Sequence, residues 1–409
     1  MYSFIDSALK EIGARESCSE NERKLGRRLA ELWRQLGLDV VTETFHCNPK
    51  AFLGFIPFAV LLDLAAVIAY WFAPFLCFLL ASTGFAITVF ELVRYRELVD
   101  PLFPLEKGEN VIATLRPQGE IRRRVVVSAH QDSAYEFTLW FMLKNAAVPL
   151  MIIGFTALPI TALAGLAKFL AGGGPLFDWL GYLCLALYPF AGLNFFFHAY
   201  MAVPGAMDDL AGVSILVGLS KALTDGTNGG LRQTEVVLLA TSSEEAGLRG
   251  AKRYVEQHVH ELRALPSHGI FVDSIYDERF LTVLTREPFT GARHDPRLIG
   301  LAKDAATKRG HPIHDVVLAL GATDASAFAN AGVSSVCLIA QDSTRLVPNY
   351  HTRLDVLEHV RPESLAILMQ LVLDMIERID AGELEGQWTA SPVGVSEPQG
   401  LNTSRPQDQ

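Results

Sequence analysis

The chain has 409 residues, a formal net charge of −10, 20% charged side chains and 50% apolar ones. Its mean hydropathy is +0.24. A disordered chain needs low hydrophobicity and high charge, so that class is excluded. The acidic balance argues against a nucleic-acid partner, because phosphate binding needs a basic surface.

The first residues carry acids and no apolar run, so no secretory signal peptide is expected. Ser19-Glu20-Asn21-Glu22 has the S-x-x-E spacing of a capping box. It predicts an amphipathic helix that closes at Gly37, followed by a strand over 38–45. The five cysteines, Cys18, Cys47, Cys77, Cys184 and Cys337, are scattered without a CxxC. They suggest neither a disulfide framework nor a cysteine zinc site.

The excess hydrophobicity is local. Residues 64–90 hold no charged side chain across 27 positions, and the apolar stretch begins near Ala51, interrupted by Asp63. Two helices of membrane-spanning length fit, about 51–71 and 75–93, with Ala73-Pro74 as the turn. Strands are expected at 110–117 and 124–130. Residues 145–167 are uncharged for 23 positions and 179–207 for 29, counting His198 as neutral. A second hairpin is therefore expected, about 146–167 and 179–201, with Gly172-Gly173-Gly174-Pro175 as its loop. Asp63, Glu91, Asn194 and His198 are the polar exceptions, each near a span end or with a neighbouring helix to face. Lys50, Arg94, Arg96 and Lys144 flank the side to which both hairpins return, whereas the far loops carry Lys168. That bias predicts an integral, multi-pass protein whose bulk is cytoplasmic.

Beyond the hairpins the chain alternates helices and strands. A helix begins at Asp208, and the Val/Ile/Leu-rich runs 235–242, 269–274 and 334–341 read as buried strands. GLRGAKRYVEQHV, PRLIGLAKDAATKR and PESLAILMQLVLDMIERI read as helices. The fold class is α/β, a three-layer sandwich with a mostly parallel central sheet, plus four transmembrane helices as two inserted hairpins. The expected division is a discontinuous soluble domain (1–50, 94–145 and 202–381), hairpins at 51–93 and 146–201, and a disordered tail at 382–409.

The chemistry lies at the strand ends. The strand RVVVSA runs into His130-Gln131-Asp132. Gly205-Ala206-Met207-Asp208-Asp209 opens a helix. EVVLLATSS runs into Glu244-Glu245, GIFV into Asp273, and SSVCLIA is followed by Tyr350-His351-Thr352-Arg353-Leu354-Asp355. Open α/β sheets bind ligands at the carboxyl edge of their strands. Nitrogen and oxygen donors without sulfur suit a hydrolytic zinc site. His130, Asp208, Glu245, Asp273 and His351 could hold two ions if Asp208 bridges.

These segments resemble the zinc aminopeptidase family that also contains glutaminyl cyclases and glutamate carboxypeptidase-like enzymes. The family pattern H-x-D, G-A-x-D-D, E-E-x-G-L-x-G, a lone Asp and Y-H-T-x-x-D appears in order as HQD, GAMDD, EEAGLRG, VDS and YHTRLD. The resemblance covers roughly 10–45, 105–136 and 203–380. It implies two Zn2+ ions, or other divalent metals, with His130 and Asp273 on one, Glu245 and His351 on the other, and Asp208 shared. It further implies Asp132 as the partner that orients His130, Glu244 as general base, and a peptide substrate. Tyr350 is a candidate to assist the oxyanion. Asp324 stands where the family has an Asp-His pair, but the next residue here is Ala325. The second hairpin fills what is usually a short loop between H-x-D and G-A-x-D-D. The catalytic mouth should therefore lie against the lipid bilayer and admit short or hydrophobic peptides. Two alternatives stay open: a glutaminyl cyclase-like acyltransferase, and a non-catalytic, receptor-like membrane subunit.

Overall fold

The computed structural model describes residues 1–225, 230–342 and 347–385. The tail expected to be disordered lies, from 386 onward, outside the described residues. The chain opens with α1 (Tyr2–Glu11), α2 (Glu20–Gln35) and β1 (Asp39–Cys47). The first apolar pair, α3 (Ala51–Phe72) and α4 (Pro74–Thr88), leads to β2 (Glu106–Leu115) and β3 (Arg123–His130). The short α5 (Thr138–Leu143) precedes the second pair, α6 (Ala147–Ala171) and α7 (Pro175–Leu193). Next come α8 (Ala211–Thr224), β4 (Thr234–Thr241), α9 (Arg249–Ala264), β5 (Ser267–Ile275), β6 (Leu281–Glu287) and β7 (Ala292–Arg293). The last elements are α10 (Pro296–Lys308), β8 (His314–Val317), α11 (Ala325–Asn330), β9 (Ser334–Ala340) and α12 (Pro362–Asp380).

The nine strands form one sheet in the order β1-β2-β4-β3-β5-β9-β6-β7, with β8 beside β6. Its centre, β4-β3-β5-β9, is parallel. Antiparallel pairings flank it, β1 with β2 and β2 with β4 on one side, β6 with β9 on the other. One face packs under α1, α2, α8, α10 and α12, the other under α9 and α11, which makes the expected three layers. Every residue of β4 is buried, as a parallel strand covered on both faces requires. Parallel pairing also sends the ends of β3, β4, β5 and β9 to the same edge, and the site is built there.

Two local outcomes differ from the pattern expected of the sequence. In β6 the residues Leu281, Val283 and Leu284 are mixed with Thr282, Thr285 and Arg286, so no continuous apolar run announced it. The second hairpin is shifted: α7 starts at Pro175, and a 3-10 turn at Asn194–Phe196 ends the helical stretch. Asp178 sits in the first turn of α7, where a carboxylate complements the helix dipole and is easily accommodated. Beyond the 3-10 turn, Ala199 and Val203 donate their N–H groups to Glu136 and Ala134, so the chain pairs with the loop after β3 instead of staying helical.

The four helices long and apolar enough to cross a membrane are Ala51–Phe72, Pro74–Val93, Thr138–Ala171 and Pro175–Phe196. They pack together through small residues. A Cβ on Gly165 would meet Cys77 Sγ at 2.8 Å, and one on Gly181 would meet Tyr70 at 2.6 Å. Small residues of this kind let apolar helices approach closely where lipid offers no hydrophobic drive. In the most apolar stretch of α3, 61% is buried, against 17% for Pro175–Phe196, so α3 is the innermost helix.

Candidate metal centre

The parallel centre of the sheet brings the predicted donors together. His130 closes β3, Asp273 lies near the end of β5, and Glu244-Glu245 follow the end of β4. Asp208 precedes α8, and its peptide bond to Asp209 is cis. Asp208 Oδ1 lies 2.9 Å from His130 Nε2, and its Oδ2 lies 3.1 Å from His351 Nε2. Glu245 Oε1 approaches His351 Nε2 at 3.3 Å. Donor atoms of His130, Asp208 and Asp273 all lie within 4.8 Å of one another, and the same holds for Asp208, Glu245 and His351. A third such group, His130, Glu244 and Glu245, puts the predicted base at the junction.

A frame of hydrogen bonds holds these side chains. Asp132 is fully buried. Its Oδ1 lies 3.3 Å from His130 Nδ1 and accepts the N–H of Glu244 at 3.1 Å. Its Oδ2 accepts the N–H of Glu245 at 3.1 Å and the Ser17 hydroxyl at 2.6 Å. One carboxylate thus sets a histidine and the following acidic turn together. Asp355, the last residue of YHTRLD, accepts the N–H groups of Met207 at 2.7 Å and Asp208 at 3.2 Å. Gly205 sits at φ +65, where a Cβ would meet Ser133 at 2.5 Å. Ser243, Leu248, Ser274 and His351 have positive φ without being glycine. Such conformations persist where the surroundings over-determine them, and they gather at working sites.

Several supporting residues carry no motif. Arg15 is fully buried, with its guanidinium donating to the carbonyls of Gln131, Pro204 and Gly205. Glu136 takes a two-pronged bond from Arg353, at 2.7 and 2.6 Å, which ties the YHTRLD turn to the loop after β3. Glu22 does more than its capping-box role. Its Oε2 accepts Cys18 N–H at 2.7 Å, and its Oε1 accepts the N–H of Ser243, one residue before the acidic pair, at 2.9 Å. Asp324 accepts the Thr241 hydroxyl at 2.5 Å and shares a recess with His130 and Asp273, so it lies beside the donors despite Ala325. Tyr350 is stacked on His351, with ring centroids 3.9 Å apart.

The electrostatics call for cations. Burial, reinforced by Asp208, pushes Asp273 up to about 7, and burial raises Glu244 well above the ordinary carboxylate range. Against a burial that disfavours its charge, His351 is lifted to about 10 by Glu245 and Asp208. Asp208 itself falls below its ordinary value, because His130 and His351 outweigh its burial. Glu245 Oε1 and His351 Nδ1 have no hydrogen-bond partner in the protein. Buried carboxylates crowded about two imidazoles are costly without compensating positive charge. Oxygen and nitrogen donors with a shared central carboxylate fit zinc.

Both hairpins reach this site. Phe52, in the first turn of α3, packs on Gly247 of EEAGL, where a Cβ would lie 3.0 Å from its ring. Tyr95, just past the first hairpin, packs on Phe52 with tilted rings 5.0 Å apart. Phe137, entering the second hairpin, donates its N–H to the His351 carbonyl at 2.8 Å and sets its ring edge-on to the imidazole at 4.5 Å. Trp140 lies 5.6 Å from Tyr350. Arg249, which follows EEAGL, is 1% exposed and pairs with Glu97 at 2.7 Å and Asp100 at 2.9 Å beyond the first hairpin.

Fold and donor set together form a mixed α/β sheet whose strand ends carry clustered His, Asp and Glu side chains able to hold a metal ion. Residues 192–376 match the profile of Peptidase family M28. The matched stretch holds Asp208, Glu244, Glu245, Asp273 and His351, while His130 and Asp132 lie before it. By structure the chain is similar to BSAP, a zinc aminopeptidase from Bacillus subtilis, with TM-score 0.55 and 16% identity over 92% of this chain and 93% of that one. It is also similar to the glutaminyl cyclase of Porphyromonas gingivalis, with TM-score 0.55 and 13% identity over 92% and 96%. A third likeness is to LapB from Legionella pneumophila, with TM-score 0.54 and 13% identity over 93% and 71%. At these identities the likeness is one of fold. No curated protein matches the sequence.

Proposed function

We propose that this protein is a membrane-anchored, two-zinc aminopeptidase acting on short or hydrophobic peptides. The observation that carries the proposal is Asp208, whose two oxygens each face a different imidazole. His130 and Asp273 would hold one ion, Glu245 and His351 the other, and Asp208 both. Bound zinc would acidify a water and polarise the scissile carbonyl. Glu244 is the general base: it takes a proton from the attacking water and passes it to the departing amine. Asp132 keeps His130 in one tautomer and aims the acidic turn. Tyr350, stacked on His351, would donate to the developing oxyanion. Phe52, Phe137 and Trp140 give the mouth an apolar wall. The four apolar helices would span the bilayer, with the sheet domain on the side of Lys50, Arg94, Arg96 and Lys144, the cytoplasmic side by the positive-inside rule.

The test is metal content and hydrolysis of aminoacyl-amide substrates by detergent-purified protein, with Glu244→Gln beside it. Two zinc per chain are expected, with turnover reduced by roughly 10²–10⁴-fold in the variant and zinc retained, the range for losing a general base. One zinc per chain together with cyclisation of an N-terminal Gln peptide would replace this reading with the acyltransferase one. No bound metal would overturn it.

A further inference from the structure

A second polar site lies away from the metal centre, among the four apolar helices. Asp63 sits midway along α3, is 1% exposed, and has no hydrogen-bond partner for either carboxylate oxygen. Asn194, just past α7, is 2% exposed, and its Oδ1 is also unpartnered. Both line one small recess, walled by apolar side chains and by Gly154 of α6. Thr161 of α6 is fully buried, with its hydroxyl beside the Asp63 carboxylate. Among the described residues no basic side chain pairs with Asp63. Lys168, the basic residue at the far end of the bundle, is bonded to the Tyr70 carbonyl and lies over the Tyr70 and Trp71 rings.

A buried carboxylate without a partner is several kcal/mol unfavourable. In an apolar bundle it must be neutralised by something that fits the recess. The carboxylate, the hydroxyl and the amide carbonyl offer oxygen, the donor type of hard cations. A single carboxylate among neutral groups balances one positive charge and no more. We infer that Asp63, Thr161 and Asn194 form a monovalent cation site, of sodium's class, within the helical bundle. The ion would join the first hairpin, through Asp63, to the second, through Thr161 and Asn194. Asn194 opens the 3-10 turn that leads to Phe197, and Phe197 packs on Phe137 at 4.6 Å, beside His351. The site therefore steadies the wall of the catalytic mouth without touching its donors.

The experiment is thermal unfolding of the full chain, zinc-loaded in detergent, as sodium chloride replaces N-methylglucamine chloride at constant ionic strength. A rise in Tm that sets in near Kd and continues logarithmically with sodium is expected, about 3 °C at a hundredfold excess over Kd for a chain this long. Asp63→Asn should abolish the sodium response. Asn194→Leu should move the onset of that rise to at least tenfold higher sodium, and it serves as the readout if Asp63→Asn does not fold. A Tm independent of sodium, or an equal response in the variants, overturns the inference. So does an infrared carboxylic-acid band that persists in sodium and disappears in Asp63→Asn, since the neutralising partner is then a proton.

Discussion

Asp132 shows how much one side chain organises. It touches His130, both backbone N–H groups of the acidic pair and the Ser17 hydroxyl. Asp132→Asn keeps the shape but replaces one acceptor oxygen with a donor facing N–H groups or the imidazole. A 10–100-fold loss of zinc affinity is expected, the range for removing such a partner, measured by competition with a chelator. His258 offers a prediction remote from the candidate metal centre. Its Nε2 lies 2.8 Å from Glu43, with Glu261 facing its other nitrogen at 3.6 Å and Tyr254 packed against the ring. The bond to Glu43 raises its pKa above 6.5, in spite of partial burial. The folded chain thus binds that proton more tightly than the unfolded chain does. The stabilisation is complete below about pH 6.5 and fades as pH rises through the raised value. A Tm-versus-pH profile should lose that slope in His258→Gln. The donors themselves were legible because their spacing within short motifs is local. Arg15, Glu22 and Glu136 were not, because their partners lie more than a hundred residues away in the chain.

At the scale of elements, the hairpins are attached to the site at both ends. Phe52 and Tyr95 bracket the first, and Phe137 and Phe197 bracket the second. Trp140→Ala removes apolar wall near Tyr350 without altering a donor. It should raise KM several-fold for long apolar peptides and leave a small aminoacyl-amide nearly unaffected; equal loss on both would remove the wall from substrate recognition. Helix existence and rough span were readable from uncharged length. The start of α7 was misjudged because Asp178 breaks the uncharged run yet suits a helix N-terminus. The edge strands were harder to read, because half-exposed, polar-mixed residues leave little periodic signal.

For the molecule as a whole, the central question is where the apolar bundle resides. The four helices expose large side chains such as Phe72, Leu163, Leu170 and Trp179, far more apolar surface than a soluble domain tolerates. Cell fractionation should leave the protein with membranes through high-salt and carbonate washes and release it only in detergent; recovery in the soluble fraction would refute the membrane reading.

Taken alone, the sequence determined the residue types of the site, the α/β alternation and the two apolar hairpins, since each is written in contiguous stretches. Tertiary structure decided that five distant segments meet within 4.8 Å donor clusters, because parallel strand order and register set which strand ends are neighbours. It also decided that Asp63, Thr161 and Asn194, separated by up to 131 positions, share one region of the bundle. Helix packing sets that proximity, and hydropathy carries no information about which faces meet.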